Sequence, residues 1–402
     1  MIEYSLLNKL LSFGSDWQIE DIKVNETIKE VDIFLKYSRS RCFLDESEPD
    51  CLIYDYTATR RLRHLDLFDY KTFVNFRTPR AKTSKGNVIK IPIPFADSRV
   101  SFTYLFEVKV IKTLELSKNQ THTAKYLKTT FEVIHHIMER AVVRGLDKRN
   151  LDDLTDLSID EKSVFDGHNY ITILSDPIQK RVIDIIEGRK KENVDELMYS
   201  ALNYFQRSKI RHVTMDMWQP FMNCVEELMP QASIVHDNFH IAKYLNKGVD
   251  ETRKQEVKTN QELKKTKYIF LKNSSNLTDN QQAIFEEINS INLKTSKAWA
   301  MKENFKQIYN YWNPKECINY FKNWYTNVIE SQIKPMISVA DTILNHIEGV
   351  INAAVTTMSN AIAENINSKI QIVKAVGRGY KNINGYRNAI LFFNGNLELL
   401  PL

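Results

Sequence analysis

The sequence predicts a mixed α/β core that carries a helical insertion and follows a small β-rich subdomain and a helical pair. Three observations lead there. Between residues 151 and 245, short apolar runs alternate with helical periodicity in the order three strands, helix, strand, helix, strand. Three of those runs contain or end on an aspartate: Asp160, Asp216 and Asp237. Far downstream, a two-faced helix carries Glu364 on its polar side. A sheet built in this order is of the RNase H-like kind, and acids at strand ends sit where such sheets place their sites.

Composition sets the bounds. A chain of 402 residues is too long for one ordinary core. Hydrophobic content of 43% and charged content of 26% are those of a globular protein. The net charge of +5 permits nucleic-acid binding without arguing for it, so local patches must carry that case. No apolar run approaches the roughly 18 residues that span a bilayer, so no membrane partner is expected. The start, Met1 to Lys9, lacks the features of a signal peptide. Cys42, Cys51, Cys224 and Cys317 are too few and too scattered for a disulfide framework, which suits a reducing, cytoplasmic setting.

Residues 1–95 are expected to form the β-rich subdomain. Ile22-Lys-Val-Asn and Val31-Asp-Ile-Phe-Leu-Lys-Tyr alternate around a polar connection, which predicts a hairpin. Further strands follow through Lys71 to Arg80. Arg60, Arg61, Arg63, Arg77 and Arg80 make this region locally basic, either as a solvated surface or as a phosphate-contacting one. Zinc is not expected: the paired spacing of zinc ligands is absent around Cys42 and Cys51, and His64 does not complete a set.

Residues 96–150 turn helical. Thr121 to Met138 has the pattern of a helix-turn-helix, with Ala124 and Leu127 packing the first helix. Thr129 or Thr130 would cap the second, and Val133, Ile134 and Ile137 would bury its inner face. Such a unit offers the early residues of its second helix to the major groove, which makes Lys128, Thr130 and His135 candidate DNA contacts.

In the core, strands are expected at Ser158 to Val164, Tyr170 to Leu174, Arg181 to Ile186, Arg211 to Asp216 and Ala232 to Asp237. Helices are expected from Glu192 to Phe205 and from Pro220 to Leu228. The first three strands, joined by short polar turns, should be antiparallel neighbours. Residues 246–355 read as the helical insertion, rich in aromatic residues that suit a core of their own. Its lysine-rich start, Lys247 to Lys272, has few apolar anchors and would be mobile or run along DNA.

Residues 356–402 return to the core. Asn360, Glu364, Asn367 and Gln371 form a polar stripe on one helix; Ile362, Ile366, Ile370 and Val373 form the apolar stripe opposite. A lone glutamate on such a helix is ordinarily solvated. Here it joins two aspartates on strands that the topology makes neighbours. Three converging anions repel unless hard divalent cations such as Mg²⁺ take their oxygens. Lys369, Lys374, Arg378, Lys381 and Arg387 follow closely and suit phosphates near such ions.

Four motifs add a family resemblance. They are Ile159-Asp-Glu-Lys-Ser with Gly167-His-Asn-Tyr-Ile-Thr; Val213-Thr-Met-Asp-Met-Trp218; Pro230-Gln-Ala-Ser-Ile-Val-His-Asp-Asn-Phe-His-Ile-Ala-Lys243; and Ser359-Asn-Ala-Ile-Ala-Glu-Asn-Ile-Asn-Ser-Lys-Ile-Gln with Arg378-Gly-Tyr-Lys-Asn382. In this order they are similar to insertion-sequence transposases of the ISL-three family, over most of the chain. The resemblance implies a DDE catalytic and metal-binding set of Asp160, Asp216 and Glu364, with Mg²⁺ as cofactor and Mn²⁺ as its substitute. Asp237 and His240 match a further motif and are expected to support the site or face DNA. Glu161, Asn360 and Asn367 are supporting candidates, and Trp218 would pack in the core, brace the site or stack on a base. The family's zinc cysteines are unmatched, with Thr83 standing roughly where one is expected. Double-stranded DNA, as terminal inverted repeats and as target, is the implied partner of a homodimer in the bacterial cytoplasm, associated with the nucleoid. The alternatives are a catalytically inactive DNA-binding derivative and a structure-specific nuclease of the same fold.

Overall fold

The computed structural model describes residues 4–43, 50–163, 170–289, 291, 293–356, 361–377, 380 and 382–401, with backbone alone at 5 and 361–364. The chain is mixed α/β and divides into two compact units. The first comprises Met1–Arg149, Ala375–Gly379 and Leu397–Leu402; the second comprises Asn150–Lys374 and Tyr380–Asn396. Among the described residues no helix is long and apolar enough to cross a membrane.

The first unit opens with α1 (Ser5–Leu10) and six strands: β1 (Trp17–Asn25), β2 (Glu30–Tyr37), β3 (Arg41–Cys42), β4 (Cys51–Arg63), β5 (Lys71–Lys82) and β6 (Val88–Lys90). They form one sheet in the order β1-β2-β5-β4-β3, with β6 paired to β5. The expected hairpin is β1–β2, and β2 runs parallel to β5. Alternation on β2 buries Val31, Ile33 and Leu35. Trp17 is the hub, meeting Tyr37, Phe76 and Phe95 edge-on with centroids 5.4–5.5 Å away. Cys42 and Cys51 are cross-strand partners in a small apolar cluster with Ala81 and Ile91.

The arginines of this sheet are engaged inside the unit. Arg60 donates to the carbonyls of Asp97 and Val100, and Arg77 to that of Thr57. Arg61 pairs with Asp32 and Glu30, Arg63 with Asp66, and Arg80 with Asp55. Each guanidinium lies beside acids or carbonyls that nearby segments supply.

Helices α2 (Tyr104–Ser117), α3 (Gln120–Tyr126) and α4 (Phe131–Lys148) complete the unit. Thr103, Asn119 and Thr130 cap them by accepting the N–H groups of Phe106, His122 and Val133, each cap contributing about 1 kcal/mol. Ala124, Leu127, Ile134 and Ile137 are buried as the pattern requires, while Val133 is half-buried. The end of the chain returns to α4, whereas the sequence placed it with the core. Arg144 donates to the Leu399 carbonyl, and Lys148 pairs with Glu398 at 2.8 Å. Gly145 is the point of closest approach: a Cβ there would lie 2.6 Å from that of Leu397.

The second unit is built on β7 (Asp156–Ser163), β8 (Tyr170–Asp176), β9 (Arg181–Glu187), β10 (His212–Met215) and β11 (Ser233–His236), in the order β11-β10-β7-β8-β9. β7, β8 and β9 are antiparallel neighbours; β7, β10 and β11 are parallel. Between β9 and β10 lie α5 (Lys191–Ala201) and α6 (Tyr204–Ser208), and between β10 and β11 lies α7 (Gln219–Leu228). Leu157, Ile159, Val213 and Met215 meet Val194, Leu197 and Phe221 in one core.

α8 (Asn238–Glu256) then leads into α9 (Lys267–Leu271), α10 (Asp279–Asn289), α11 (Lys294–Phe305), α12 (Pro314–Glu330), α13 (Lys334–Asn345) and α14 (Ile347–Thr356). They enclose their own core, where Phe270, Phe305, Phe321 and Trp324 are buried and Trp299, Tyr309, Tyr320 and Tyr325 pack against it; Trp312 stays 71% exposed. The lysine-rich stretch is anchored there by Val249, Leu263, Ile269 and Phe270. α15 (Ala361–Val376) buries Ile366, Ile370 and Val373, and α16 (Ile383–Asn394) follows.

Candidate active site

Register brings the strand-end acids into one row. β7 and β10 pair Asp156 with His212 and Ser158 with Thr214. The same offset carried two residues further sets Asp160 level with Asp216. β10 and β11 pair Met215 with His236, which sets Asp216 level with Asp237. Leu157, Ile159, Val213 and Met215 are committed to the core, so the alternating residues Asp160 and Asp216 leave the opposite face.

His240 ties this row together. It lies one turn into α8, whose first residues are fixed because Asp237 caps the helix through the Phe239 N–H at 2.9 Å. Its Nδ1 is 2.9 Å from Asp216 Oδ2, and its Nε2 is 3.7 Å from Asp237 Oδ2. Burial alone would raise the Asp216 pKa, but the bond and charge of His240 outweigh it and hold Asp216 below the usual carboxylate range. His240 is raised in turn: burial opposes its charge, and Asp216, Asp237 and Asp160 favour it more strongly. The sequence expected Asp237 and His240 to support the site or face DNA; the structure puts His240 in contact with Asp216.

Asp160 differs from Asp216. Burial raises its pKa despite hydrogen bonds from Asn367 and from the Glu161 N–H. Asn367 lies on α15 and donates its side-chain N–H to Asp160 Oδ2. The helix that contains Glu364 is therefore bonded to the strand that contains Asp160. The Glu364 side chain, and the expected residues Asn360, Arg378 and Lys381, lie outside the described residues. Lys162, which the sequence reading passed over, stands two residues after Asp160 and donates to the Asn367 carbonyl at 2.5 Å. Its period-two spacing from Asp160 was the available signal.

Glu161 points to the other face of β7, where both its oxygens take Arg189 Nη1 at 3.0 and 3.1 Å. Arg189 lies over Tyr170 and Trp218, with its guanidinium carbon 4.2 and 4.9 Å from the ring centres. Trp218 donates its indole N–H to the Arg189 carbonyl at 3.2 Å and is 39% exposed, so it is not a core residue.

The other candidates are dispersed. In the second unit Lys369 is exposed and Lys374 half-buried. Arg387 donates Nε and Nη2 to Asp184 at 2.6 and 2.7 Å, so its charge is compensated within the fold. In the first unit Lys128 donates to the Asp69 carbonyl at 3.1 Å, Thr130 is the α4 cap, and His135 meets Gln120 at 3.1 Å and stacks on Phe131.

Two carboxylates level on adjacent strands, one of them raised by burial, are a donor set that suits a hard divalent cation. Among the described residues, no three His, Cys, Asp or Glu side chains are grouped to hold a metal by themselves. Asp160 and Asp216 would need a third donor.

Comparison with known proteins agrees with the motifs. The ISL3-type DDE family, described as a transposase family, matches residues 157–390. The transposase of insertion sequence element IS1001 from Bordetella parapertussis is 22% identical over 393 residues, covering 93% of this chain and 95% of that one. The transposase of IS1557 from Mycobacterium tuberculosis is 21% identical over 353 residues, covering 80% and 79%. Among solved structures, the Drosophila P element transposase strand transfer complex covers 75% of this chain and 94% of that one at 8% identity, with a TM-score of 0.37 too low to carry an argument. With the family matched across most of the second unit, this chain belongs to the ISL3-type transposases.

Proposed function

We propose that this insertion-sequence transposase is a metal-dependent DDE enzyme that cuts DNA at its element's ends and joins the freed 3′-OH to target DNA. The observation that carries the proposal is the bond from Asn367 to Asp160, which sets the Glu364 helix beside the strand-end acids. The strand order β11-β10-β7-β8-β9 supports an RNase H-like core.

Asp160, Asp216 and Glu364 would hold Mg²⁺, with Mn²⁺ as substitute. Bound divalent metal supplies activation of the attacking oxygen and neutralisation of charge at the leaving oxygen. The chain's own groups hold those acids ready. Asn367 fixes Asp160, and His240 fixes Asp216. Water attacks the phosphodiester at the element end, the P–O3′ bond breaks, and the 3′-oxygen leaves as a hydroxyl. That hydroxyl then attacks a target phosphodiester by the same in-line displacement, and the target's own 3′-OH leaves. Lys369, Lys374, Arg378 and Lys381 would contact phosphates. Helices α3 and α4 would act as the helix-turn-helix that reads terminal inverted repeats, with Lys128, Thr130 and His135 near the DNA. Two ends must be held together, so a homodimer is the working assembly.

The test is Asp216→Asn with oligonucleotides that carry the element's terminal repeat. Cleavage in Mg²⁺ should be abolished while end binding stays within about twofold, since only a metal-bearing oxygen is changed. Unchanged cleavage would remove Asp216 from the site. A wild-type chain that binds ends but never nicks them would be the inactive derivative; cleavage without joined products when target DNA is added would indicate a nuclease.

A further inference from the structure

We propose that Lys162 is a positioning residue for this reaction: it fixes the helix that carries Glu364 against the strand that carries Asp160. The proposal rests on the assignment of Asp160, Asp216 and Glu364 as the reacting set. Lys162 and Asp160 are two residues apart on β7, so they leave the same face of the sheet. Both close on one residue of α15. Asn367 gives its side-chain N–H to Asp160, and its main-chain carbonyl receives the Lys162 ammonium at 2.5 Å.

The bond to the main chain is the informative one. A bond between side chains can follow rotamer changes on either partner. A bond to a helix carbonyl fixes the helix itself, both along its axis and in rotation about it. Glu364 stands three residues before Asn367, a spacing that puts two positions on one helix face. A slip of a single residue would move α15 by about 1.5 Å along its axis and about 100° around it. Such a shift would carry Glu364 away from Asp160.

Lys162 is half-buried, so its ammonium gives up part of its hydration to reach this carbonyl. A lysine with no task here would extend into water, where its charge is better solvated. The chemistry also fits: an ammonium is a donor with no acceptor of its own, suited to a helix carbonyl.

The test uses the full-length chain with K162M and K162R, and E364Q as reference. Three quantities are measured: Mn²⁺ binding without DNA, amide hydrogen exchange across 361–376, and end cleavage as kcat and KM. K162M should bind Mn²⁺ about tenfold or more weakly, the scale seen when a residue that orients a metal ligand is lost. Exchange in 361–376 should rise while β8 stays protected, and cleavage should fall in kcat rather than KM. K162R should restore most of each. Wild-type Mn²⁺ affinity and unchanged exchange in K162M would overturn the proposal. Should K162M not fold, K162Q makes the same comparison with a shorter neutral donor. E364Q binding Mn²⁺ as tightly as wild type would instead overturn the underlying carboxylate assignment, and exchange in α15 would still decide whether Lys162 fixes the helix.

Discussion

Replacing Arg387 with methionine separates two roles that its position allows. The sequence placed Arg387 among cations suited to DNA phosphates; the structure pairs it with Asp184 through two parallel hydrogen bonds of 2.6 and 2.7 Å. Asp184 is 7% exposed in the middle of β9, and it also accepts the Ile185 N–H at 2.7 Å. Arg387→Met therefore leaves a buried carboxylate without its guanidinium. Breaking a buried pair from one side costs about 3–5 kcal/mol. The Arg387 side chain is 32% exposed, so water can reach the vacated place and the lower part of that range applies. We expect a loss of about 3 kcal/mol, or roughly 6–12 °C in melting temperature for a unit of this size. The assay is thermal unfolding without DNA, run beside end binding. The double variant Asp184→Leu/Arg387→Met should be more stable than Arg387→Met alone, since removing both charges removes the orphan. A melting temperature within about 1 °C of wild type, together with a clear loss of end affinity, would refute the structural role and restore the phosphate-contacting one.

Two further outcomes are expected in the first unit. His64 is buried, bonded to Thr103 at 2.8 Å, and has its pKa pushed down to about 4 by burial and by Arg63. The unfolded chain takes up its proton near pH 6.5, so this contribution is complete above that pH and is lost as pH falls toward 4. The loss amounts to about 3 kcal/mol; His64→Gln should flatten acid unfolding over that interval, and an unchanged slope would exclude His64 as its source. At Gly145, alanine would bring a Cβ within 2.6 Å of the Leu397 Cβ. Overpacking costs about 1–3 kcal/mol against a helix-propensity gain of about 1 kcal/mol, so Gly145→Ala should destabilise slightly and expose residues 397–402 to carboxypeptidase. Net stabilisation would show that the tail does not pack against α4.

What was legible in the sequence is what local periodicity encodes. Short apolar runs placed Asp160 in one strand and Asp216 at the end of its neighbour, and helical spacing turned Ile366, Ile370 and Val373 inward. The cap at Thr130 and the antiparallel pairing of β7, β8 and β9 follow from the same short-range chemistry. Pairings between distant residues were not legible. Nothing near Arg387 in the chain points to Asp184, and nothing near Arg61 points to Asp32. The basic look of residues 60–80 left both a solvated and a phosphate-contacting surface open for that reason: a count of arginines is local, whereas their compensation comes from other segments. Lys162 was missed because a strand-end lysine is ordinarily solvated, and only the packing of α15 shows what it holds.

These long-range ties bear on when the chain becomes competent. Asp160 is bonded to a residue 207 positions later, and Lys162 to that same residue. Between them the chain must lay down β10, β11 and the whole helical insertion from α8 to α14. A chain truncated before α15 would keep Asp160 and Asp216 level on their strands, because that register comes from β7 and β10 alone. It would lack Asn367 to hold the first acid and Glu364 to join it. On the proposed assignment, cleavage competence is coupled to completion of the fold: the sheet sets Asp160 and Asp216 level, and α15 supplies the contact from Asn367 that holds Asp160.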